Sequence, residues 1–142
     1  MWIDRNEDGS VTVCDTQFSD TAIEVDSLPD EQEFLTWTLG EPLPVVDASK
    51  QAESQRVQAK DDRDTALQSS TYSLADGSEY QVRPQDLSNF QITIDGGVSE
   101  EWVLADNTIR LTTVAELQEI LIAGIAQGKA VWADYKTTIG AL

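Results

Sequence analysis

The spacing of hydrophobic residues changes along this chain, and each change marks a different kind of element. "WID", "SVTVCD" and "TAIEVD", within residues 2–26, alternate apolar and polar positions and are separated by turn residues. That period of two predicts short strands. "EFLTWTLGEPLPVVD" follows and carries Pro42 and Pro44. The two prolines forbid a continuing helix and predict an extended connection, with a lobe boundary near Asp47. Residues 48–70, "ASKQAESQRVQAKDDRDTALQSS", hold no Gly or Pro and are rich in helix formers. Ala52, Ala59 and Ala66 recur every seven residues, with Val57 and Leu67 beside that line. Such small residues do not build a strong coiled-coil seam. The segment reads as one mostly wet helix resting on a neighbour or a partner.

Beyond it, "TYSLA" and "SEYQVR" flank Asp76-Gly77, a pair that favours a tight hairpin turn. Pro84 stops the second strand, and "PQDLSNFQITI" fits either a helical turn or a strand. After the loop "DGGVSEE", "WVLADNTIRLT" reads as two strands around a turn at Asp106-Asn107. Thr113 and Glu116 then form a capping box. Val114, Leu117, Leu121, Gly124, Gly128, Val131 and Tyr135 continue at helical spacing. Caps and period predict a helix of about 22–25 residues. Two glycines on its buried line each cost about 1 kcal/mol against Ala, so a neighbour is expected to come close there. A crossing helix or aromatic ring of the same chain is the simplest source, and a second subunit is the alternative.

These elements predict an α+β protein. Residues 1–47 form a small acidic β-rich lobe, 48–70 a connecting helix, and 71–142 a C-terminal domain of hairpins packed with a long helix. At 142 residues and 40% hydrophobic, with four Trp, the chain can bury a core of modest size.

Charge narrows the class of partner. The formal net charge is −17, and residues 1–47 hold 12 acids against one base, Arg5. Such a surface repels phosphate backbones and anionic bilayers, so neither nucleic acid nor membrane is an expected partner. There is neither a basic, apolar leader pattern nor an apolar run long enough to span a bilayer, "ILIAGIA" being far too short. A cytosolic or particle-associated protein is expected.

Candidate chemistry is sparse. The chain has no His, which removes Ser-His-Asp and Cys-His catalysis and the commonest zinc ligand. Cys14 is the single cysteine, and its place in "SVTVCD" predicts a buried structural thiol. "DRNEDGSVTVCD" places Asp4, Asn6, Asp8 and Asp15 at calcium-loop spacing. An EF-hand loop needs a helix on each side, whereas three residues precede Asp4 and a strand pattern follows. The stretch is therefore expected to be a hairpin turn at Asp8-Gly9. "DDRD" at 61–64 reads as a solvated helix face, and "DGG" at 95–97 lacks any phosphate-binding context. No nucleophile is paired with a base, so neither an enzyme nor a cofactor or metal site is expected.

The second half resembles a domain of unknown function found in phage tail genes. The resemblance rests on Arg63–Leu67, Asp76–Gln91, Trp102–Asn107 and Leu111–Leu117. It covers about residues 50–140, and "ADNTIRLTTVAEL" is its most specific part. The layout is also similar to phage tail-fibre assembly proteins, although Thr71-Tyr72 stands where that family has an Asp-Trp pair. The resemblance implies a protein that acts by protein contacts, in the host cytoplasm during assembly or on the virion tail. Its partner would be a tail-fibre or other tail protein, and its role either an assembly factor, chaperone or fibre cap, or a permanent part of the tail, fibre or baseplate. Neither family supplies catalytic residues. Within "FLTWTLGEPLP", Phe34, Trp37 and Leu39 are the candidate partner interface, since a lobe this small struggles to bury every large apolar side chain. The alternative is that these rings close the lobe's own core.

Overall fold

The computed structural model describes residues 1–14, 17, 19–25, 35–36 and 44–142. The chain divides into two compact units, Met1–Gln55 and Arg56–Leu142.

In the first unit, β1 (Trp2–Arg5), β2 (Val11–Cys14) and β3 (Ile23–Glu24) form an antiparallel sheet in the order β2-β1-β3. Ile3 lies opposite Val13 on one side and Ile23 on the other, and it is fully buried. The β1–β2 turn is the one expected: Gly9 has φ +83°, and the Ser10 backbone N–H donates to the Asp8 carboxylate at 2.9 Å. The buried thiol expected at Cys14 is not found; Cys14 is exposed. Strand parity explains the difference. Val11 and Val13 share the face of Ile3, which leaves Thr12 and Cys14 on the opposite face with Trp2 and Asp4. A two-stranded pair, β4 (Leu35–Thr36) with β5 (Val45–Val46), precedes α1 (Ala48–Gln68). Asp47 accepts from the backbone N–H groups of Ser49 and Lys50 at the start of this helix, the role of an N-cap. Of α1's described side chains only Ala59 is buried, which leaves the helix largely wet, as its sparse apolar line predicts.

α1 straddles the division, so the second unit begins with its C-terminal part from Arg56 and continues with two hairpin–helix modules. The first comprises β6 (Thr71–Ser73), β7 (Glu79–Gln81) and α2 (Pro84–Gly96). The second comprises β8 (Glu100–Val103), β9 (Ile109–Thr112) and α3 (Val114–Gly140). They match residue for residue at an offset of 30: Leu74 with Leu104, Asp76 with Asp106, Ser78 with Thr108, and Leu87 with Leu117. The turns match too. Ser78 and Thr108 each donate their N–H to the preceding Asp at 2.9 Å, and Gly77 and Asn107 both have positive φ. α3 begins with a capping box, Thr113 with Glu116, and α2 with half of one, the Asp86 carboxylate accepting from the Arg83 N–H.

The segment left open between turn and strand is α2. Pro84 at its first turn supplies the helical φ and loses no needed N–H, and Gly97 in the left-handed region ends it. α3 runs 27 residues, slightly past the expected length. Leu74, Tyr80, Val82, Phe90, Leu117 and Ile120 form the core, and Trp102 closes it by stacking on Phe90 at 4.6 Å between ring centroids. Each such large apolar group contributes about 1.5–3 kcal/mol by burial. Of the predicted α3 line, Leu117 and Gly124 are buried, whereas Val114, Leu121, Val131 and Tyr135 are half-buried; Ile120 lies beside that line.

The two glycines of α3 separate. A Cβ on Gly124 would lie 2.5 Å from Leu87 Cδ2 and 3.0 Å from Val82 Cβ, so the close neighbour comes from the same chain. At Gly128 a Cβ would meet nothing within 4 Å, so no close approach accounts for that glycine. No helix among the described residues is long and apolar enough to cross a membrane.

Candidate functional site

The densest polar constellation lies where the two modules meet. Arg110, on β9, forms a two-pronged ion pair with Glu116 of α3 at 2.8 and 3.0 Å. The same guanidinium reaches Asp76 in the β6–β7 turn at 2.9 Å and donates to the Tyr80 hydroxyl at 3.2 Å. That hydroxyl is 2.7 Å from Thr112 Oγ1, in the buried interior. Glu116 also accepts from the Thr113 N–H, so one carboxylate caps α3 and holds the arginine.

Each group is thereby fixed in its charged form. The Arg110 guanidinium and the Thr113 N–H pull Glu116 down to about 2, and Glu116 in turn raises Arg110. Hydrogen bonds from Ser78 lower Asp76. A general acid or base needs a pKa near the working pH, and these shifts run the other way. The cluster fits a structural clamp, and among the described residues no buried side-chain polar atom lacks a partner. A half-exposed arginine fixed by two carboxylates was not singled out from sequence, because Asp76 and Arg110 lie 34 positions apart and only the fold joins them.

The other acids are engaged locally. Asp4 accepts from the hydroxyls of Ser19 and Thr21 and from the Arg5 N–H, and these bonds lower its pKa. Asn6 bonds Ser10 and Thr12, and Asp8 bonds Ser10 twice. The oxygens at calcium-loop spacing thus knit a hairpin together; Asp15 lies outside the described residues. Asp61, Asp62 and Asp64 are exposed on α1, the solvated face expected of "DDRD". Phe34, Trp37 and Leu39, the candidate interface, lie outside the described residues.

A different surface emerges on the second hairpin. In β8–β9, Val103 is opposite Ile109 and Glu101 is opposite Leu111, so these four share one face. Trp102, Arg110 and Thr112 occupy the inward face. Val103, Ile109 and Leu111 are 59%, 66% and 62% exposed. The corresponding positions of the first hairpin are Ser73, Glu79 and Gln81. The same fold position is therefore polar in one module and apolar in the other. A signal for this was present in the sequence, but reading it requires the 30-residue register of the repeat.

No family model matches the chain, and no curated protein or solved structure matches it significantly.

Proposed function

We propose that this is a non-enzymatic phage tail protein that acts through protein contacts, as an assembly factor for the tail fibre. The observation that carries the proposal is the ordered set of elements beneath the resembling segments. Arg63–Leu67 lies in α1, Asp76-Gly77 in a hairpin, Trp102–Asn107 in a strand and turn, and Leu111–Leu117 in the strand-to-helix junction capped by Thr113 and Glu116. The charge of −17 supports it, since an acidic soluble chain suits a transient chaperone that must release its client. A permanent place in the tail is the second reading, favoured by the apolar outer face of β8–β9, which a stable neighbour would cover.

Deleting the gene from the encoding phage and weighing the proteins of purified wild-type virions tests both. Fibreless particles from the deletion, with the protein absent from wild-type virions, support the assembly factor. A stoichiometric amount in virions supports the structural part. Normal fibres from the deletion, with none of the protein in virions, would discard the tail reading altogether.

A further inference from the structure

The outer face of β8–β9 is apolar where its sister hairpin is polar, and this internal comparison separates folding from use. Ser73, Glu79 and Gln81 show that the hairpin–helix module closes with polar side chains at these positions. Val103, Ile109 and Leu111 are thus not required by the architecture, and in water their exposure carries an aggregation cost. A strand pair with three apolar groups on one face is suited to receive a complementary apolar ridge.

The surrounding charge specifies what that ridge must carry. Glu101 shares the face and makes no ion pair among the described residues. A cleft of about 410 Å³ beside Val103 is lined by Glu100, Glu101, Arg83 and Asp86. Arg83 and Asp86 neutralise each other at 2.7 Å, and Glu100 accepts only the neutral Thr93 hydroxyl among the bonds it shows. Glu101 is therefore an uncompensated carboxylate on the triad's own face, whereas Glu100, opposite Thr112, belongs by parity to the inward face and reaches only the cleft at the strand's edge. A second copy would bring its own acids to the same border on a chain already at −17, so self-association is disfavoured.

We propose that the outer face of β8–β9 is a docking surface for a protein segment with apolar side chains flanked by Lys or Arg. The inference deepens the reading that the chain works through protein contacts and rests on it. The three apolar residues supply the buried centre, and Glu101 on the same face, within a chain of net charge −17, selects a basic rim.

The test uses the full chain and two synthetic strand peptides, one alternating Val with Lys and the other Val with Glu, followed by backbone NMR shifts. The variant Val103→Ser/Ile109→Glu/Leu111→Gln transplants the first hairpin's outer face onto the second. Leu111→Gln alone serves if the triple variant does not fold. The expected result is saturable binding of the Val-Lys peptide, with shifts centred on residues 101–111. Affinity should fall at least about 10-fold in the variant and weaken with salt, while the Val-Glu peptide leaves the spectrum unchanged. Equal binding of both peptides, shifts elsewhere, or no loss in the variant overturns the proposal. So does sedimentation showing a dimer of the wild-type chain that the variant abolishes, since the occupant would then be a second copy. Because the peptides are independent of any phage component, the tail reading can fail in the virion experiment while this surface stands, and the reverse.

Discussion

Gly124 and Gly128 lie one turn apart on one helix, yet only the first has a packing reason to be glycine. Val82 Cβ stands 3.0 Å from where a Gly124 side chain would begin, and a β-carbon, fixed to the backbone, cannot swing aside as the end of Leu87 can. Gly124→Leu should lower stability by about 1–3 kcal/mol despite the better helix propensity. Gly128→Ala meets nothing, so it should raise stability by about 0.5–1 kcal/mol. Chemical denaturation of both variants checks the pair, and a stabilised Gly124→Leu protein would remove the crowding argument. Titration is also decided at this scale. Glu116, at about 2 in the folded protein against its ordinary 4.5, contributes stability that is full above pH 4.5 and lost as pH falls toward 2. Asp76 and Asp106 are shifted in the same direction. Glu116→Gln should flatten the fall of Tm across that window. An unchanged slope would show that the clamp does not couple to folding.

At the scale of elements, the turns carry the strongest local instruction. Asp8-Gly9, Asp76-Gly77 and Asp106-Asn107 each close a hairpin with a residue at positive φ, and each is followed by Ser or Thr bonded back to the Asp. Gly77→Asn should therefore fold with little loss, since Asn107 holds that place in the sister turn. Gly77→Val should cost about 1–2 kcal/mol, because a β-branched residue resists the left-handed region. Thermal melts of the two variants compare them directly. The same local signals made the hairpins, the cap of α3 and the α+β class legible in the sequence. α2 is less legible, because Pro84 can both stop a strand and start a helix; in the fold Phe90 of this helix packs against Trp102. At Cys14 strand parity with Ile3 decides exposure, not the thiol's tendency to be buried. Phe34, Trp37 and Leu39, the interface expected from the sequence, lie outside the described residues. The apolar face of β8–β9 is not legible in the strand sequence alone, because an alternating strand does not declare which of its two faces is inward.

For the whole molecule, a net charge of −17 places the folded chain under its own repulsion. Raising NaCl from about 20 to about 500 mM should lift Tm by a few degrees, since salt screens this repulsion more than it weakens the half-buried Arg110 clamp. A falling Tm would mean that attractive pairs dominate instead. The stack of Phe90 on Trp102 has a further consequence during synthesis. Neither module owns a complete core, since Tyr80 and Phe90 come from the first and Leu117 and Ile120 from the second. On the ribosome the first module must wait, with its apolar face unfilled, until α3 has emerged. The two modules adjoin in sequence, so their condensation is expected to follow the order of translation rather than a search for a distant partner strand.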